Sequence, residues 1–152
     1  MNKRHYLGVT LAYASAVNPE PGIQRAPTLE EQTRALALAA TRQGGVLVKP
    51  VVTARQNEGL DPGVLAMIDQ LGADAVILLT IDTLRCGDTI NGVLLQSIWD
   101  HTGRIDLLIE DVRLTDDASF SNYLYMVAAM NEVRQRDSST EWSELIASWD
   151  AE

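Results

Sequence analysis

The chain has one cysteine, Cys86, and two histidines, His5 and His101. A single thiol excludes an internal disulfide and a zinc site built from several cysteines, and it fits a reducing cytoplasm. Histidines separated by most of the chain give no metal-ligand spacing, so no metal and no other cofactor is expected. Cations are scarce as well: twelve Lys and Arg stand against twenty-one Asp and Glu, for a net charge of −9. Direct binding to nucleic acid needs a basic face that displaces phosphate counterions, and the scattered cations supply none. No apolar run approaches the roughly 18 residues of a membrane span, and no repeat or low-complexity segment is present.

The first residues need separate treatment. Met1-Asn2-Lys3-Arg4-His5 is basic, the following stretch is fairly apolar, and Ala14-Ser15-Ala16 has the form of a signal-peptidase site. Gly8, Thr10, Tyr13 and Ser15 interrupt the apolar stretch, however, and residues 6–16 read better as a first β-strand. With 152 residues and 46% hydrophobic content, the chain is long enough for one domain with a real core.

The most informative stretch is Ala75-Val76-Ile77-Leu78-Leu79-Thr80-Ile81-Asp82. An apolar run of this length without alternation reads as a strand buried on both faces, as in a parallel sheet. It ends in Asp82, and ligands in open α/β sheets collect at such carboxyl ends. Asp82 is therefore the first candidate for a site.

Around it the elements alternate. After the strand over 6–16 comes a loop dense in Pro and Gly, and then a helix opened by a Thr28-x-x-Glu31 capping box and stopped by Gly44-Gly45. A strand over 46–52 is interrupted by Lys49-Pro50, and a polar loop over 53–60 follows. Asp61-Pro62 opens a helix bearing Val64, Leu65, Ile68 and Leu71. Beyond the strand over 75–81, the pattern predicts a helix over 88–101, a strand over 105–109 and a long helix over 118–136. This order calls for a mostly parallel sheet of four to five strands with helices on both faces, a three-layer α/β domain.

The tail from Asp137 is acidic and carries no Lys or Arg. Ser138-Ser139-Thr140-Glu141 forms a second capping box, and Trp142, Leu145, Ile146 and Trp149 fall on one helical stripe. Such a helix either docks on its own domain or enters the groove of a partner. The predicted organisation is one domain over 1–136 and a short amphipathic helix over 137–152.

Taken in order, these landmarks resemble the catalytic domain of the serine recombinases (the resolvase/invertase family), over roughly residues 6–136. That family shows Tyr-x-Arg-x-Ser at the end of its first strand, with the Ser attacking a DNA phosphate. It then shows Ser-Leu-x-x-Gln and Arg-x-Gly-Leu helix starts, and Asp-Arg-Leu-x-Arg after a central strand. The counterparts here are Tyr13-Ala14-Ser15-Ala16-Val17, Thr28-Leu29-Glu30-Glu31-Gln32, Asp61-Pro62-Gly63-Val64 and Asp82-Thr83-Leu84-Arg85-Cys86. The resemblance implies a resolvase-like fold whose long helix, with Phe120, Tyr123, Leu124, Val127 and Met130, is an oligomerisation element.

The departures bear on chemistry. The nucleophile's position is Val17, and the family's arginines fall on Ser15, Asp61, Thr83 and Cys86, while a Glu-Arg pair in the long helix falls at Arg134-Gln135. Phosphoryl transfer needs an oxygen nucleophile and cationic donors, and losing one donor commonly costs about 10²–10³ in rate. Tyr13, Ser15, Gln32, Asp82 and Arg85 remain as relic candidates. The sixteen residues from Asp137 are also too short for the family's DNA-binding module.

Three readings follow. The first is a catalytically inactive, cytoplasmic recombinase-like protein that self-associates or joins another recombinase and modulates DNA recombination or transposition. The second is a divergent recombinase or nuclease using Ser15 with Arg55 and Arg85, although Ser15 lies about 6–7 Å along the strand from the family's nucleophile position. The third is a domain binding a nucleotide or other small ligand near Asp82, although no Gly-rich phosphate loop follows any strand. Cys86, beside Arg85, reads as an ordinary thiol or as a reactive one of lowered pKa.

Overall fold

The computed structural model describes residues 3–13 and 26–137. Strand β1 (Arg4–Ala12) is buried without a break from Tyr6 to Leu11. The rest of the sheet is laid out on its two edges. Helix α1 (Leu29–Arg42) begins at the expected capping box: the Thr28 hydroxyl accepts from the Glu31 N–H, and the Glu31 carboxylate accepts from the Thr28 N–H. Past Gly44, which turns at φ 77°, the chain forms β2 (Gly45–Leu47), crosses the cis Lys49–Pro50 bond and forms β3 (Val52–Arg55). Both run parallel to β1 on the same edge, β2 beside its first half and β3 beside its second. The single strand expected over 46–52 is thus two, and β3 extends into what reads as polar loop, because proline removes a ladder donor between them.

Helix α2 (Val64–Leu71) leads to β4 (Ala75–Leu78), which pairs parallel with the other edge of β1. β4 is shorter than the apolar run that announces it. Thr80 ends it: its hydroxyl accepts from the Asp82 N–H and its carbonyl accepts from the Thr83 side chain, drawing Ile81–Leu84 into a 3₁₀ turn. A small hairpin follows, β5 (Arg85–Cys86) and β6 (Thr89–Ile90), turning at Gly87 with φ 61°. Helix α3 (Gly92–Thr102) therefore starts later than the expected 88; Asn91 caps it by accepting from the Leu94 N–H. Then come β7 (Ile105–Leu107), parallel to β4, and β8 (Val112–Leu114), antiparallel to β7. Helix α4 (Asp117–Asp137) completes the described chain.

The result is a mostly parallel six-stranded sheet with the edges β2 and β3, then β1, β4, β7 and β8 in order. Helices lie on both faces, as expected, with two strands more than the minimum of four. On one face, Leu7, Val9, Leu11, Val76 and Leu78 join the main core with residues of α2, α3 and α4. On the other, Tyr6, Ala75 and Ile77 meet Leu36 and Ala40 of α1. A Cβ at Gly8 would stand 2.8 Å from Leu47 and 3.3 Å from Leu36, so the lack of a side chain there lets α1 sit close.

At the amino ends of the strands, Tyr6 is fully buried and its hydroxyl donates to the Asp106 carboxylate at 3.2 Å, while the Arg104 Nε donates to the other carboxylate oxygen at 2.7 Å. Burial, and then the Asp106 charge, push the Tyr6 hydroxyl above its ordinary pKa. A polar network of this kind ties β1 to β7 across β4.

The long helix requires a correction. Phe120 and Val127, expected on an oligomer interface, are buried in the chain's own core, with Phe120 stacked on Trp99 at a centroid distance of 4.6 Å. Tyr123 and Leu124 also pack against that core. The apolar stripe of α4 faces its own domain because the sheet and α3 need cover. The opposite face instead exposes Tyr125 (79%), Met126 (44%) and Val133 (56%). Among the described residues, no helix is long and apolar enough to cross a membrane.

Candidate functional site

Three parallel strands, β1, β4 and β7, end side by side, and each delivers polar residues just past its carboxyl end. β1 gives Tyr13, β4 gives Thr80 and Asp82, and β7 gives Glu110. This is where a parallel sheet places its chemistry. α4 adds Tyr123 from above.

Glu110 holds the cluster together. Its Oε2 accepts from the Thr80 hydroxyl at 2.7 Å and from the Ile81 N–H at 2.9 Å. Its Oε1 is buried without a hydrogen-bond partner among the described residues. Asp82, on the 3₁₀ turn, accepts at Oδ1 from both the Nε (2.9 Å) and the Nη2 (2.7 Å) of Arg85. Arg85 is largely buried, and its Nη1 also lacks a partner. The two tyrosines report on both carboxylates. Burial first, then Glu110 and Asp82, push the Tyr123 phenol up to about 12. Burial, then Asp82 and Glu110, raise that of Tyr13. Both phenols therefore keep their protons at neutral pH.

Among the described residues, the cluster holds two carboxylates against one guanidinium, and that guanidinium is already engaged. A dianionic or diester phosphate would meet net repulsion here. The arrangement suits hydrogen bonding to a neutral or cationic group better than phosphoryl chemistry.

The relic candidates separate on this frame. Tyr13, Asp82 and Arg85 come together; Gln32 does not join them. It is buried at the start of α1, where its Oε1 accepts from the Leu11 N–H (2.7 Å) and its Nε2 donates to the carbonyls of Leu11 (2.8 Å) and Pro27 (3.1 Å). All its reach goes into fastening α1 to the end of β1. Thr83 is wholly buried and donates to the Thr80 carbonyl, leaving no room for a charge. Asp61 accepts from the Gly63 N–H at 2.8 Å and so shapes the entry to α2. Arg55 stands at the end of β3 as an exposed side chain 3.8 Å from Glu58, a weak surface pair. Cys86 is exposed on the hairpin, with its Sγ 3.5 Å from the Glu58 carbonyl. Both histidines are exposed, and no group of three or more potential metal ligands occurs among the described residues. Ser15, Val17, Trp142, Leu145, Ile146 and Trp149 lie outside the described residues.

The sequence pattern alone does not single out Glu110, Thr80 or Tyr123 for this site. A signal for Glu110 is nevertheless there: it ends the apolar run over 105–109 as Asp82 ends that over 75–81.

No protein-family model matches the sequence, and no curated protein matches it. Among solved structures, the N-terminal catalytic domain of TP901-1 integrase is similar, with a TM-score of 0.59 and 15% identity over 90% of this chain and 100% of that one. At that identity the likeness is one of fold. The chain thus carries the fold of an integrase catalytic domain, the resolvase-like α/β architecture with a long helix after its last strand.

Proposed function

We propose that this protein is a recombinase-like domain without strand-transfer chemistry, which acts by self-association or by contact with another recombinase-like protein and so modulates DNA recombination or transposition. The observation that carries the reading is the charge of the cluster at the carboxyl ends of β1, β4 and β7. Where phosphoryl transfer calls for several free cations, Asp82 and Glu110 outnumber Arg85 among the described residues, and Arg85 is bound to Asp82. A net charge of −9 supports contact with protein rather than direct contact with DNA. The exposed Tyr125, Met126 and Val133 on α4 support an apolar contact there.

Two measurements test this together. Incubation with supercoiled DNA, followed by denaturing electrophoresis, is expected to give no covalent protein–DNA adduct. An adduct that disappears in Ser15→Ala would establish the enzyme reading instead. Sedimentation of the full chain is expected to show a dimer or larger assembly; a monomer that also fails to bind any recombinase would end the proposal.

A second reading, a small polar ligand near Asp82, is favoured by one observation. The Arg85 Nη1 donor and the Glu110 Oε1 acceptor are both buried and unpartnered among the described residues, which is costly unless a further group satisfies them. A ligand that raises the Tm of the wild type but not of Arg85→Met would support it, and a polar-metabolite screen with no such shift would remove it.

A further inference from the structure

Helix α4 meets this end of the fold at two points. Tyr123 packs against the core, where the charges of Glu110 and Asp82 help to raise its phenol. Asn131, eight residues on and so about two turns away, reaches the hairpin β5–β6. Its Oδ1 accepts from the Ile90 N–H at 2.8 Å and its Nδ2 donates to the Ile90 carbonyl at 2.8 Å. This is the pair of bonds that a residue on a neighbouring antiparallel strand would make. Both directions are satisfied at once, so the amide orientation is unambiguous.

Ile90 is the residue directly across the hairpin from Arg85. Arg85 in turn grips Asp82 through Nε and Nη2. A continuous path therefore runs from Asn131 through Ile90 and Arg85 to Asp82. The hairpin has two residues per strand, too few to hold its own register. It is braced on one side by the turn after β3, where Gly87 N–H donates to the Asn57 carbonyl at 2.7 Å, and on the other by Asn131. A displacement of α4 moves the second brace and not the first.

We propose that Asn131 is a positioning residue that couples α4 to the Asp82–Arg85 pair. A shift of α4, such as a partner on its Tyr125–Met126–Val133 face would impose, passes through Ile90 and loosens Arg85 from Asp82. By linkage, loss of the Asp82–Arg85 pair loosens the seat of α4.

The test is hydrogen exchange followed by NMR on the full chain in wild type, Asn131→Leu, Asp82→Asn and the double variant. Leucine keeps the forked shape and heavy-atom count of the asparagine side chain and removes both hydrogen bonds. Asn131→Leu is expected to speed exchange of the Arg85 Nε–H by about tenfold, the usual scale of such couplings, and to leave the core amide of Ile77 unchanged. Asp82→Asn is expected to speed exchange of the Asn131 side-chain amide by a similar factor. The double variant should open the Ile90 amide less than the product of the single effects. Two results would overturn the proposal: an unchanged Arg85 Nε–H in Asn131→Leu, or a double effect equal to that product. If Asn131→Leu accelerates Ile77 as much as Arg85, Asn131 is a general stabiliser and the coupling is refuted. Should that variant not fold, the reverse measurement in Asp82→Asn decides alone, an unchanged Asn131 side-chain amide overturning the proposal.

Discussion

Tyr123 has its phenol pushed up to about 12 by burial and by the carboxylates of Glu110 and Asp82, whereas in the unfolded chain it titrates near 10. The folded state therefore holds this proton more tightly. The contribution to stability is complete below about pH 10 and is lost as pH rises from 10 toward 12. Because the ring is only partly buried, solvent screening limits the effect to about 1 kcal/mol. Urea denaturation at pH 9 and pH 11.5 should show a smaller alkaline loss in Tyr123→Phe than in the wild type, and equal losses would mean that neither burial nor the two carboxylates raise the phenol. Tyr13 and Tyr6 are also raised, so the difference between the two proteins isolates Tyr123. At this scale the sequence is legible where a residue ends a pattern. Asp82 announces itself by closing an apolar run, and Glu110 does the same for a reader who treats both runs alike. Gln32 is noticeable as a polar residue on a helix start, but its partner Leu11 lies 21 positions earlier, and no local pattern encodes that meeting.

The elements divide by the same criterion. α1 begins where its capping box says, because the box is a set of local hydrogen bonds between Thr28 and Glu31. β3 and β8, of four and three residues, are too short to show alternation, and exist because a neighbouring strand offers them a ladder. α4 shows a subtler limit: its apolar stripe was plain, but periodicity cannot say which surface covers it. The two faces of α4 separate experimentally. Phe120→Ala, which empties the stack on Trp99, should cost about 3–5 kcal/mol in denaturation and leave any assembly state of the surviving folded protein intact. Tyr125→Ser, Met126→Ser and Val133→Ser together should cost about 0.5 kcal/mol each or less and convert the sedimenting species to monomer. An assembly that survives the triple change would move the contact surface off the outer face of α4.

On the scale of the whole molecule, the alternating order of strands and helices carried the architecture, because strands buried on both faces must be nearly all apolar and their crossovers must be helical. The site was legible only in part, since a cluster drawn from β1, β4, β7 and α4 depends on which strand ends lie together. One feature of that arrangement reaches beyond the native state. β1 is bordered by β2 and β3 on one edge and by β4 on the other, so a strand made before all three of its neighbours has no complete set of them until residue 78 has emerged. Local pairing cannot rescue it in the meantime, since all three neighbours are parallel and separated from it by crossovers. Closing such loops costs chain entropy before the ladder returns any of it. The nascent β1, with its unbroken run from Tyr6 to Leu11, is thus a sticky and unfinished strand until β4 is made, and the protein's yield in a cell rests on how well that interval is chaperoned.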